Sequence, residues 1–401
     1  MSCGSTAPAD NGFSDHHTFF PATFLQDELM KVNWRLIHSA RNSYAALYAA
    51  CEQSGFILHP VKEPVGEITC YSLNSLDEPV WQHEITNAGC LTIVGGSHAT
   101  AMYQDVTRYA DYVVVGEGEY TLPRLLAAIE QGTSTVIPGV ATKDHYEPAD
   151  TSVRLDAYPV FSQMKGYAEI SRGCPFSCGY CQTPRIFGHA MRHRSIDAIA
   201  TYANRYEHSR FISPNAFAYG SDGFNPRFDK IERLFLSLRH NIYFGTFPSE
   251  VRPEFVCDRA LELVTGYCAN TKLHFGAQSG SNRVLQHLHR GHTVEDVMNA
   301  VELCRDHGIT PVVDFIVGFP FETDEDQHDT MQLISWVARN GLVHVHRFLP
   351  LPGTPLAGTS ARPLLPKTAQ ICGKLALLGK LTGSWSDPEV RFFRRPSNDI
   401  P

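Results

Sequence analysis

Cys174-Pro175-Phe176-Ser177-Cys178-Gly179-Tyr180-Cys181 places three cysteines within eight residues, in the spacing C-x3-C-x2-C. Three thiolates converging from one short loop can hold a metal cluster. A cubane [4Fe–4S] cluster has four irons, so three ligands leave one iron open to an exogenous molecule. A C-x2-C pair on its own is also seen at zinc sites, for which His189 and His193 are the nearby candidate ligands. A thioredoxin-like redox pair fits less well, because the strand pattern before the loop is of the wrong kind.

The surrounding chain bounds the reading. Its 401 residues allow two domains, or one large barrel with an appendage. Hydrophobic residues are 43% and charged residues 19%, with a net charge of -8. Clustered Lys and Arg, the usual footprint of nucleic-acid binding, are lacking, so no nucleic-acid partner is expected. The short runs Arg192-His193-Arg194 and Arg394-Arg395 read as local anion contacts or solvated surface. No apolar run approaches the roughly 20 residues that span a bilayer. Residues 1–27 are small and polar, without the apolar core of a signal peptide, and read as a flexible N-terminus. The remaining eight of eleven cysteines, including Cys51, Cys70 and Cys90, are scattered and read as reduced core residues of a cytoplasmic protein.

Residues 28–150 alternate short apolar runs with helical segments. Strands are expected near Val32–His38, Phe56–Val61, Glu67–Leu73, Cys90–Val94 and Tyr112–Val115; helices near Ser43–Gln53, Pro79–Asn87 and Thr121–Glu130. That alternation predicts a Rossmann-like parallel sheet with helical faces. Gly95-Gly96 and Gly116-Glu117-Gly118 stand at the carboxyl ends of strands, where such sheets bind ligands. Pro138–Pro159 has turn residues and no clear period, and reads as a linker with a boundary near residue 155.

Residues 155–360 carry six βα repeats, short of the eight of a closed barrel, so a partial TIM-like (βα)6 barrel is expected. Its strands are expected at Tyr167–Ser171, Phe211–Tyr219, Asn241–Thr246, Lys272–Ala277, Pro311–Val317 and Leu342–Phe348. Helices include Ser195–Arg205, with Ser195 as cap, and Arg252–Thr265. Residues 361–401 add a helix, Lys367–Leu381, and a tail.

The cysteine loop after the first strand of a six-unit half-barrel resembles that of the radical S-adenosylmethionine (SAM) superfamily. The resemblance implies that Cys174, Cys178 and Cys181 bind a [4Fe–4S] cluster. The amino and carboxylate groups of SAM would then chelate the open iron, and Tyr180 would lie near SAM. FGAQSGSNRVLQHLHRGHT (275–293) resembles the family's fourth-strand segment, shared with its methylthiotransferase-like branch. It implies Gln278 and Ser279 near the SAM ribose and Arg290 near its carboxylate. VDFIVGFPFET (313–323) resembles the fifth-strand segment against adenine, implicating Gly318, and FLPLPGTPL (348–356) the closing segment. A Gly-Gly-Glu on the second strand is missing, and Ser213 or Asn215 in FISPNAFAYGS would stand in.

IVGGSHAT (93–100) and ADYVVVGEGE (110–119) are similar to the N-terminal domain of cobalamin-binding members. That similarity implies cobalamin against Gly95, Gly96, Ser97, Gly116, Glu117 and Gly118, although no Asp-x-His-x-x-Gly cobalt-binding loop is present. The activity so implied is reductive cleavage of SAM to a 5′-deoxyadenosyl radical, with cobalamin-dependent methylation of an unactivated carbon on a small-molecule or peptide substrate. Alternatives are a cobalamin-assisted cyclisation or rearrangement, a methylthiotransferase with a second cluster on Cys51, Cys70 and Cys90, or an Fe–S sensor. The electron would come from a donor such as flavodoxin or ferredoxin.

Overall fold

Six strands of the first domain collect the apolar runs, in a computed structural model that describes residues 30–160 and 167–386. The stretch 1–27 and the basic pair Arg394-Arg395 lie outside the described residues. The order is β1 (Val32–Arg35), α1 (Arg41–Gln53), β2 (Leu58–Val61), β3 (Ile68–Ser72), α2 (Glu78–Thr86), β4 (Leu91–Gly95), α3 (Ser97–Ala101), α4 (Tyr103–Val106), β5 (Tyr112–Val114), α5 (Gly118–Glu130) and β6 (Val140–Ala141). The sheet order is β2-β1-β3-β4-β5-β6, parallel except for β6. All five residues of β3 are buried, as a strand covered on both faces requires. The chain winds outward from β1 on one side and from β3 on the other. That topological switch point opens a crevice at the carboxyl ends of β1 and β3. Gly96, just past β4, has φ +98 and approaches so closely that a Cβ would meet Leu73 O at 2.5 Å. The expected linker is more structured than its sequence suggests: Val140 and Ala141 pair antiparallel with β5.

The second domain continues with β7 (Ala168–Glu169), β8 (Ser171–Arg172), α6 (Thr183–Phe187), β9 (Arg192–His193), α7 (Ile196–Ala203), β10 (His208–Ile212), α8 (Phe228–Ser237), β11 (Asn241–Tyr243), α9 (Asp258–Tyr267), β12 (Lys272–Gln278), α10 (Asn282–His287), α11 (Val294–Asp306), β13 (Thr310–Val317), α12 (Asp324–Asn340), β14 (Leu342–Arg347), α13 (Pro366–Leu377) and β15 (Leu381–Thr382). Parallel pairing runs β7-β10-β11 and β12-β13-β14-β15. The two arcs meet through His274 N to Gly245 O and Val251 N to His274 O. All six expected barrel strands form, and β15 extends the arc from beyond the sixth unit. Val313, Phe315 and Val317 point to the helices and join the main core. Asp314 therefore faces the lumen, in register with Gly276 on β12 and His344 on β14.

Two segments depart from expectation for local reasons. The expected strand Phe211–Tyr219 starts earlier and stops at Ile212, because Pro214 has no N–H for the ladder; Ala216–Ala218 is a 3-10 turn instead. The expected helix Arg252–Thr265 is a 3-10 turn at Pro253–Phe255, an extended Val256-Cys257, and then α9. Ser195 does cap α7, accepting from Ala198 N at 3.3 Å. Among the described residues no helix is long and apolar enough to cross a membrane.

One guanidinium joins the domains. Arg172 bonds Glu117 Oε1 at 2.7 Å and Glu119 Oε1 at 2.6 Å, at the N-cap and in the first turn of α5, and Glu169 Oε2 at 2.7 Å in its own domain. Tyr158 OH donates to Glu119 Oε1 at 3.1 Å. Arg192 holds Glu117 Oε2 at 2.9 Å and the Val153 carbonyl at 2.7 Å, and Arg194 donates to the carbonyls of Leu155 and Tyr158. The run Arg192-His193-Arg194 is thus a strap on the linker rather than solvated surface.

Arg172→Ala leaves two carboxylates of the first domain enclosed without their cation. It should cost about 3–5 kcal/mol in urea unfolding, with a far smaller loss for the exposed pair partner Arg227→Ala. Burial alone would push Glu119 up, but Arg172 and the surrounding hydrogen bonds bring it below its ordinary 4.5. A depressed folded value means the contribution is full above pH 4.5, begins to fade below it, and is lost as the pH falls through the lower folded value. The cost of Glu119→Gln, followed by urea midpoint against pH, should therefore be largest near neutrality and shrink below pH 4.5.

Candidate functional site

The cysteine loop leaves β8 at Gly173, whose φ of +85 and lack of a side chain let it pass the Ala190 carbonyl, where a Cβ would come within 2.2 Å. Cys174 N donates to Gly188 O at 3.1 Å, and Gly179 N to Leu288 O at 3.0 Å, so the loop is clamped from both sides. Cys178 is buried, while Cys174 and Cys181 are half-buried. Burial pushes the Cys174 thiol up, the backbone N–H of Phe176 opposes it, and the neighbouring Cys181 and Cys178 sulfurs add to it. The Cys178 and Cys181 sulfurs thus lie near enough to Cys174 to be felt by its thiol. Each cysteine of a cubane meets a different iron, so its sulfurs stand wider apart than around a single ion. Among the described residues no three His, Cys, Asp or Glu side chains converge on one ion. His193 is not available to zinc, because its Nδ1 meets Ser171 Oγ at 2.9 Å and its Nε2 donates to Ser221 O at 2.7 Å.

Two buried guanidinium groups back the loop. Arg290 donates from Nη1 to Cys178 Sγ at 3.7 Å and from Nη2 to Gly276 O at 3.1 Å, while its Nε is buried without a partner. Arg252 stacks on the Phe176 ring at 3.5 Å, bonds Glu254 at 2.5 Å, and donates to the Arg290 carbonyl. Burial, then these two charges, push His292 down to about 2, and its Nε2 donates to Ala277 O at 3.1 Å. Burial also raises the Tyr180 hydroxyl, which packs against Val284, Leu288, Phe319 and Phe348 with its ring 6.0 Å from that of Phe319.

The other expected SAM contacts divide. Gln278 is buried with φ +69, at a register shift between β12 and β13, a sparsely populated conformation for a side-chain-bearing residue. Asn215 is 4% exposed and neither of its amide atoms has a partner. Such orphans in a folded interior call for a ligand or water. Ser213 Oγ, by contrast, meets Ser249 Oγ at 2.7 Å. The Ser279 hydroxyl is taken up by Thr330 Oγ1 at 3.2 Å and Ser281 N at 3.2 Å, inside the α10–α12 packing. Gly318 N donates to Glu322 at 3.0 Å and its carbonyl accepts from Arg362 N at 2.9 Å. A pair that the sequence did not point to is Glu250 with Asp314, two carboxyls that burial and their mutual nearness keep above the ordinary carboxylate range while the Arg290 charge opposes the rise.

Between the domains lies a cavity of about 380 Å³. One wall is Gly95, Gly96, Ser97, Gly116, Glu117 and Gly118; the other includes Arg172, Arg194, Ile186 and Phe187. Phe187 ends the short helix that follows the cysteine loop. The carboxylate of Glu117 is engaged by Arg172 and Arg192, so only its backbone is free to serve the cavity. Among the described residues no histidine lines it.

Residues 168–334 match the radical SAM superfamily model. Curated relatives include tRNA-2-methylthio-N(6)-dimethylallyladenosine synthases. That of Ralstonia pickettii is 31% identical over 286 residues, 66% of this chain and 59% of the relative. That of Rickettsia canadensis is 26% identical over 303 residues, 71% of this chain and 64% of the relative. The chain thus spans about three fifths of the length of these relatives. Among solved structures, the radical SAM methyltransferase TsrM from Kitasatospora setae, with cobalamin and a [4Fe–4S] cluster, superposes with a TM-score of 0.65 at 17% identity, over 82% of this chain and 74% of that one. OxsB, a cobalamin-dependent SAM radical enzyme, gives 0.62 at 15% identity, over 88% and 56%. Residues 168–334 are a radical SAM domain, and the parallel-sheet domain ahead of it completes the two-part fold seen in cobalamin-dependent radical SAM enzymes.

Proposed function

We propose that this radical SAM protein methylates an unactivated carbon, with a [4Fe–4S] cluster on Cys174, Cys178 and Cys181 and with cobalamin in the interdomain cavity. The observation that carries the reading is the placement of glycine turns from the first domain and of Phe187, next to the cysteine loop, on facing walls of one cavity. The donor set fits the groups. Three thiols share one loop, orphaned polar atoms of Asn215 and Arg290 await a partner, and Gly116 adds no side chain to the cavity it lines. When bound, the cluster and SAM supply a 5′-deoxyadenosyl radical for hydrogen abstraction, and cobalamin supplies the methyl group. Arg290 braces Cys178 and offers Nε to the SAM carboxylate, Tyr180 walls the site from water, and the Arg172 network keeps the cavity aligned with the loop. A low-potential donor of the flavodoxin or ferredoxin type would supply the electron.

A second reading, methylthiotransferase, is favoured by the names of the curated relatives. A second cluster would need Cys51, Cys70 and Cys90. Cys51 and Cys70 are fully enclosed in an apolar core, and burial pushes both thiols up, well away from thiolate.

Purification without oxygen in the presence of hydroxocobalamin, followed by metal analysis, decides between the readings. The expected result is about four irons and about one cobalt per chain, with 5′-deoxyadenosine formed from SAM under dithionite. About eight irons would favour the methylthiotransferase, and iron without cobalt would sink the cobalamin assignment. Replacing Cys174, Cys178 and Cys181 by Ala together should reduce iron to background and abolish SAM cleavage. Retained cleavage would overturn the cluster assignment.

A further inference from the structure

We propose that the amino-terminal end of the barrel, opposite the cysteine loop, is a docking surface for an anionic lipid bilayer. The inference is independent of the cluster and cobalamin readings. The barrel strands run parallel, so every helix-to-strand connection falls at this end. Arg239 follows α8, and Lys272 opens β12. Arg305 and Arg339 stand in the last turns of α11 and α12, and Lys374 and Lys380 flank the turn from α13 into β15. All six are exposed, and among the described residues none makes an ion pair. The exposed acids in the same connections are Glu207 and Asp306. Cations at helix ends suit the macrodipole, but Arg239, Lys272 and Lys380 lie beyond the helices. A chain with a net charge of -8 thus gathers a positive field at one end.

An apolar tip stands in this field. Leu377 is 92% exposed and Leu378 64%, at the end of α13, and Leu236, near the end of α8, is 66% exposed. The same helix turns Ile371, Cys372 and Leu375 to the main core, and Leu381 is buried there again, so the two leucines are left out of a core that their neighbours join. The tip is held in place. Lys380 N donates to Leu375 O at 2.9 Å, Gly379 closes the turn with φ +67, and Lys380 O accepts from Val343 N at 2.9 Å. Two aliphatic side chains between two lysines, on a cationic face, complement a bilayer interface, with acyl chains below and anionic headgroups around. Other polyanions use less of the surface. Aliphatic side chains give RNA bases no π-face to stack on. A protein electron donor at this end would stand a strand's length from the cysteine loop, about 26 Å for the eight residues of β13. Docked on a bilayer, the chain keeps its strand ends and cysteine loop turned toward water.

The test is co-sedimentation of the full chain with vesicles of phosphatidylglycerol and phosphatidylcholine in equal parts, and with vesicles of phosphatidylcholine alone. Binding is expected to the first, reversed by raising the salt, and not to the second. Leu377→Ser with Leu378→Ser should weaken it about 10-fold or more. Lys374→Glu with Lys380→Glu, which touches no apolar contact, should do the same, and both double variants should keep the urea midpoint and iron content of the unsubstituted protein. No binding to the anionic vesicles, equal binding to both kinds, or binding that neither double variant weakens overturns the proposal. So does binding of poly-L-glutamate or bulk tRNA that the same variants abolish, without binding to vesicles, since that would assign the surface to an acidic protein or to RNA.

Discussion

Three carboxylates from two domains surround the single guanidinium of Arg172, which is 5% exposed. An enclosed ion pair of this kind adds little net stability, because desolvation offsets most of the attraction. Its effect is on geometry. Glu117 and Glu119 are fixed at the start of α5, and Arg172 stands two residues before Cys174. Only one mutual placement of the sheet domain and the barrel satisfies all three contacts together with Tyr158 and Arg192. That placement sets the glycine turns opposite the short helix that follows the cysteine loop, and so the cavity and the loop share a wall.

Charge around the loop follows from the same logic. Arg252 and Arg290 are enclosed behind the cysteines, and among the described residues the one ion pair that either makes is that of Arg252 with Glu254. Two buried cations cannot be sustained by one partner and a few carbonyls unless something anionic completes the set. Three thiolates holding the proposed cluster would be such an anion. Neutral His292 fits the scheme, since a third positive charge there would have no counterion.

Much of this is legible in the chain. Apolar runs ending in glycine mark β4 and β5, and the spacing of the cysteines marks the site. What periodicity reports is local, and the departures are nonlocal or conformational. Pro214 ends β10 early within an otherwise strand-like run, and β15 joins the barrel only through its pairing with β14. Gly95-Gly96 reads as a turn, but the two short helices after it have no clear period. Glu117 was expected at a corrin, and its carboxylate instead meets Arg172, 55 residues on. Ser279 carries the motif, yet its hydroxyl closes a contact with Thr330 on a helix that no local pattern ties to it. Glu250 and Asp314 are 64 residues apart in sequence, and only the pairing of β12 with β13 puts the second beside Arg290.

The likeness to methylthiotransferases in sequence and to cobalamin enzymes in fold involves different parts of the problem. The loop of cysteines and the strands that face SAM serve any enzyme that cleaves SAM, so they cannot distinguish the two. The distinction has to lie in the first domain, where a second cluster needs cysteines on exposed loops and in thiolate form. Cys70 is the middle residue of a strand buried on both faces, and Cys51 lies on a helix face against the same core. Freeing them would mean unpacking β3, the strand beside the switch point on which the cavity depends. Among the described residues Cys51 and Cys70 serve the core that builds the cavity, and that use of them is what supports the cobalamin proposal over a second cluster.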